Sequence, residues 1–233
     1  MSGGANTYHL PVMRYRDVAQ RALVRRAVLV PAILLLLAMV ATHAGALYYP
    51  LVPGSPTFVR FLVTLFVRIT TVFVLTIAIL RYAVGSARPA WLPDGGFSLH
   101  VLLVSFASAL PALLQMQLGN FGSMLTSLLA NLLSILLLAF LSPWTVAVAV
   151  EWPLAWRPTA WLHDFGRWLP QRIGWGLALL IPLGALQSLL AGLRLSETIW
   201  FWPAAVVGGL LGFLMLMIRL ALDVAAYRRV AQG

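Results

Sequence analysis

Six runs of about twenty apolar residues, divided by short polar or turn-forming stretches, constrain this sequence more than any other feature. A hydrocarbon layer of roughly 30 Å is crossed by about 20 helical residues rising about 1.5 Å each. The runs lie at about 27–48, 58–80, 98–118, 123–148, 173–193 and 198–222. None alternates with the period of two of a membrane barrel. Backbone groups in hydrocarbon must be bonded within the chain, so each run is expected to be a helix. Composition agrees: 61% of the 233 residues are hydrophobic and 9% charged, against about a quarter charged in soluble domains. The expected fold is all-α, a single polytopic six-transmembrane-helix bundle over 27–233 preceded by an N-terminal arm at 1–26.

Some runs carry blemishes. The third contains Pro111 and ends in Gln115 and Gln117. Pro143 and Pro182 sit inside two others, where each removes a backbone bond and can kink the helix. Pro31 and Pro203 are expected in first turns, where proline is tolerated. The first run follows several Arg and imitates a secretory signal peptide. It is too long for an ordinary signal core, and with Met1 at the start it reads as a retained helix.

Orientation follows from arginine. All sixteen basic residues are Arg, and thirteen fall on one predicted side: Arg14, Arg16, Arg21, Arg25, Arg26, Arg81, Arg88, Arg157, Arg167, Arg172, Arg219, Arg228 and Arg229. Arg60 and Arg194 fall on the other, and Arg68 lies between. The positive-inside rule then places both termini in the cytoplasm (N-in/C-in), as an even number of spans requires. Exclusive use of Arg with abundant Ala, Leu and Gly suggests a GC-rich bacterial genome and hence a multi-pass protein of a bacterial inner membrane. The formal charge of +10 is expected to meet anionic headgroups of membrane lipids rather than nucleic acid. Short interfacial amphipathic helices are expected at 12–26 and 159–169. In the first, Arg14, Asp17, Arg21 and Arg25 share one face; in the second, Trp161, Phe165 and Trp168 do.

Several chemistries are excluded by composition. Without Lys there is no Schiff-base site or P-loop lysine. With no Cys there is no disulfide, thiolate nucleophile, iron–sulfur cluster or Cys-bound zinc. His43 and His100 belong to opposite membrane depths, His9 and His163 to the surface, and no HExxH spacing occurs, so no metal or cofactor is expected. The string RYAVGSARP, Arg81 to Pro89, resembles the first motif of the type-2 phosphatidate phosphatases with Arg in place of its Lys. The resemblance covers nine residues, and that family's later histidine-bearing motifs have no counterpart, so no phosphatase is expected.

Three groups of residues stand out. Arg60, Thr64, Arg68 and Thr71 form a polar stripe on the second run. An intramembrane Arg costs at least about 2.5–3.5 kcal/mol unless relieved. Arg68 is expected either to be structural, bonded to Gln115 or Asn131, or to bind an anionic headgroup or substrate. Trp152, Trp156, Arg157, Trp161, Arg167 and Trp168 cluster between the fourth and fifth runs. Interfacial Trp is ordinary, but Trp and Arg also mark binding hot spots, so this cluster is a candidate partner surface. Gly184, Ser188 and Gly192, and likewise Gly208 and Gly212, are small residues four apart, suited to close helix packing. Asp223 lies four residues after Arg219 and is expected to pair with it. No catalytic constellation is apparent. The expected function is non-enzymatic, an accessory or scaffold subunit among membrane proteins or lipids; the alternative is a transporter or lipid-handling protein for an anionic amphiphile.

Overall fold

A computed structural model describes residues 26–48, 56–117, 123–151, 165–192 and 200–232. Among them are six helices and no strand: α1 (Arg26–Tyr48), α2 (Pro56–Val84), α3 (Gly95–Gln117), α4 (Ser123–Glu151), α5 (Phe165–Gly192) and α6 (Phe201–Gln232). Four of them hold stretches long and apolar enough to cross a membrane: Arg26–Gly45, Leu132–Glu151, Trp168–Gln187 and Phe201–Val230. Shorter apolar stretches occupy Ile69–Val84 of α2 and Gly95–Ala107 of α3. The expected amphipathic arm at 12–25 lies outside the described residues.

The helices outrun the apolar runs at several ends. α2 continues to Val84, α4 to Glu151 and α6 to Gln232. At 32 residues, α6 is about 48 Å long at about 1.5 Å per residue, more than the hydrocarbon needs. Its extra turns are held by packing, since Val224, Ala225, Ala226 and Tyr227 are all buried. The fifth helix also begins earlier than expected. Residues 165–169, assigned from sequence to a separate interfacial helix, are continuous with α5. Trp168 and Leu169 pack on Leu222, Ala225 and Ala226, which fixes that first turn in line with the rest. Pro31 stands six residues into α1 rather than in its first turn.

α4 and α6 form the centre. α3 packs chiefly on α4, α1 lies between α2 and α6, and α5 lies against α6 and α4. The main core joins Val28 and Leu35 of α1, Leu75, Ile79 and Leu80 of α2, Val146 and Val150 of α4, and Leu220, Val224 and Tyr227 of α6. It therefore lies toward one end of the bundle, where α1 and α5 begin and α2, α4 and α6 finish. Proline 143 is accommodated locally. It cannot donate to the carbonyl four residues back, and the Ser142 hydroxyl donates to that Ala139 oxygen instead, at 2.8 Å.

α1 and α6 approach closely where α6 carries glycine. A Cβ built on Gly209 would stand 2.5 Å from the Val40 Cα. One on Gly208 would meet the His43 ring, and one on Gly212 the Met39 methyl at 2.8 Å. Small residues let two backbones come this near where lipid supplies no hydrophobic drive. Gly184 of α5 faces Met215 of α6 at an ordinary 3.6 Å.

Candidate functional site

The end of the bundle that holds the core also holds the ion pairs of the described residues, beginning where α2 stops. The last turn of a helix leaves carbonyls without partners. Gly85 adopts φ 79°, which suits glycine at a helix C-terminus. Its N–H and that of Ser86 both donate to the Arg81 carbonyl, at 3.0 and 2.9 Å. The chain then turns back, and Asp94 opens α3. Asp94 Oδ1 accepts from the Phe97 N–H at 2.9 Å, the bond of an N-cap carboxylate.

Arg81 ties these pieces together. Its side chain is 1% exposed. Nε donates to Ala149 O at 2.8 Å, Nη1 to Pro89 O and Leu92 O at 2.7 and 2.8 Å, and Nη2 to Asp94 Oδ1 at 2.7 Å. Ala149 belongs to the last turn of α4, so the guanidinium supplies both a donor and a positive charge to that helix C-terminus. Ser86 Oγ donates to Val150 O, the next orphan carbonyl, at 2.9 Å and accepts from the Arg88 N–H at 3.2 Å. Arg88 closes the set with Asp94 Oδ2 at 2.6 Å. RYAVGSARP is thus a helix terminus and a clamp. Arg228 of α6 caps α2 in the same way, donating to Ala83 O at 2.9 Å. Tyr227 donates to Glu151.

Asp94 has a consequence for pH. Burial pushes its carboxyl up, but the Phe97 N–H, Arg88 and Arg81 outweigh that and hold it below its ordinary value. A depressed carboxyl stabilises the fold above its unfolded pKa and loses that contribution as pH falls through the folded value. Protection of the Phe97 amide, its exchange rate taken relative to the intrinsic rate at each pH, is therefore expected to hold down to the ordinary carboxylate range and to fall only below it. Asp94→Asn should abolish that step; an unchanged step would refute the assignment.

A second cluster joins α5 to α6. Arg172 donates from Nε and Nη2 to Asp223 Oδ1 at 3.0 and 2.7 Å, with side chains 1% and 3% exposed. Arg219 approaches Asp223 Oδ2 from one turn away at 3.5 Å. His100, in the second turn of α3, bonds through Nδ1 to Thr145 O at 2.7 Å. Phe73 stands edge-on to its ring at 6.4 Å. It is 2% exposed.

The residues singled out from sequence are placed unevenly. The side chains of Arg60, Thr64, Arg68, Gln115 and Asn131 lie outside the described residues. So do Trp152, Trp156, Arg157 and Trp161, and the side chains of Arg167, Ser188 and Gly192's surroundings. Trp168 is a core residue, 2% exposed. Gly208 and Gly212 face α1, and Gly184 faces α6. Arg81 and Arg172, which flank the apolar runs at 58–80 and 173–193, are buried within helices. Their partners lie 13 and 51 residues away, beyond any local pattern; the Arg219–Asp223 pair, four apart, was visible. Among the described residues no group of three or more His or acidic side chains could hold a metal. Comparison with protein-family models, with curated proteins and with solved structures finds no match to this chain.

Proposed function

We propose that this chain is a six-span protein of a bacterial inner membrane, with both termini cytoplasmic, that serves as a non-catalytic accessory or scaffold subunit packing against other membrane proteins and lipids. The observation that carries this reading is how little of two long apolar helices the chain itself covers. Within the stretch Trp168–Gln187 of α5 only 11% is buried, and within Arg26–Gly45 of α1 only 22%. Leu29, Val30, Ile33 and Leu37 on α1 and Leu179, Leu186 and Leu189 on α5 face outward. Such faces require lipid or another chain. The described carboxylates Asp94, Glu151 and Asp223 are engaged by Arg81 and Arg88, by Tyr227, and by Arg172 and Arg219. That engagement supports a structural use of charge.

Native mass spectrometry of the gently solubilised chain, expressed in its own host, tests the proposal. Co-migrating membrane chains are expected, and Leu186→Arg with Leu189→Arg on the exposed α5 face should release them. A chain that stays monomeric and instead drives flux of an anionic amphiphile in proteoliposomes would overturn it in favour of transport along Arg60 and Arg68.

A further inference from the structure

Asp223 serves two guanidinium groups. The cluster of Arg172, Arg219 and Asp223 therefore carries one surplus positive charge, beside the buried residues Leu220, Leu222 and Val224. His100 lies within electrostatic reach of both Arg219 and Asp223, and as an imidazole it brings no negative charge. Arg81, also within reach of His100, is already matched by Asp94. Two buried donors of the cluster, Arg172 Nη1 and Arg219 Nε, lack a hydrogen-bond acceptor. The 3.5 Å approach of Arg219 to Asp223 is an ion pair too long for a good hydrogen bond. The side chains of Arg172 and Asp223 are 1% and 3% exposed, whereas that of Arg219 is 16% exposed. The surplus charge thus belongs to the member that reaches the bundle surface.

We propose that Arg219 is the binding residue for a phosphate group at this surface, with Asp223 and Arg172 as its positioning residues. A guanidinium offers a planar fork of donors that matches phosphate oxygens two at a time. Asp223 draws the guanidinium from its Nε side, at 3.5 Å, while the side chain as a whole remains 16% exposed. Arg172 meanwhile engages Asp223 through Oδ1, and Arg219 approaches the other oxygen, Oδ2. A phospholipid headgroup and free phosphate present the same chemistry. The inference rests on the membrane-embedded reading above and narrows it to one site.

The test uses the full chain, delipidated in detergent and titrated separately with short-chain phosphatidylglycerol and with inorganic phosphate, occupancy being read by native mass spectrometry. One saturable site is expected, and whichever titrant fills it identifies the source. Arg219→Gln should weaken it by at least about tenfold, the worth of a charge-assisted contact. Its thermal midpoint should hold or rise, because the remaining Arg172–Asp223 pair is neutral. Arg219→Lys keeps the charge but loses the fork, and should weaken binding without moving the midpoint. Unchanged occupancy in Arg219→Gln, or a lowered midpoint with unchanged occupancy, would show Arg219 to be merely a partner of Asp223 and overturn the site. Partner chains retained by a protein that binds neither titrant would remove the site and leave the scaffold reading standing.

Discussion

Asp223→Ala is expected to cost about 3–5 kcal/mol of stability, the loss seen when one partner of a buried ion pair is removed. The size follows from what is left behind. Arg172 would keep a charged side chain that is 1% exposed while its Nε and Nη2 lose their shared acceptor. Arg219 would lose its only counter-charge in the cluster. Asp223→Asn should cost less, since an amide oxygen still accepts, but it leaves both cations uncompensated. Adding Arg172→Met to Asp223→Ala should recover part of the loss, because a thioether of similar volume needs no partner. Unfolding in detergent, followed by near-ultraviolet circular dichroism, measures all three. A double variant less stable than Asp223→Ala would contradict the electrostatic account and point to packing of the Arg172 head, whose Nη1 lies beside Gly176.

Gly209→Val is expected to pry α1 from α6. Even the first added carbon would stand 2.5 Å from the Val40 Cα and 2.8 Å from its backbone nitrogen. Backbone cannot swing aside as a side-chain tip can. Overpacking costs about 1–3 kcal/mol where neighbours can adjust, and this site belongs at or above the top of that range. Gly209→Ala should already destabilise. Gly184→Ala is the internal control: its new methyl meets only the Met215 methyl at 3.6 Å. It should be neutral or gain up to about 1 kcal/mol from helix propensity. Cysteine pairs placed on α1 and α6 would report the separation directly in a chain that has no native Cys. Equal crosslinking in wild type and Gly209→Val would refute the close-approach account.

These two positions show what a sequence does and does not disclose. Gly208 and Gly212 stood out because four-residue spacing maps onto one helix face. Gly209 breaks that spacing, yet it meets α1 most rigidly, since close backbones touch over more than one row of residues. The Gly208-Gly209 doublet was the available signal. The charged end behaves likewise. The positive-inside rule counts arginines near span ends, and Arg81 and Arg172 are among those it counts. It carries no information on partners. Arg81 is consumed by orphan carbonyls at the end of α4 and by the loop that leads into α3. Those acceptors exist only once separate helices end side by side.

Hydrophobic length alone determined that the chain is helical, roughly where each helix lies, and that apolar surface faces outward. Each follows from local physics: a fixed rise per residue and the need to bond every backbone group within its own segment. The tertiary structure decided which arginines are structural. It buried Arg81 and Arg172 against Asp94 and Asp223, drew α6 out to Gln232, and left Arg219 as the cation of its cluster that reaches the surface. A charge is worth what surrounds it, and its surroundings here come from helices distant in sequence.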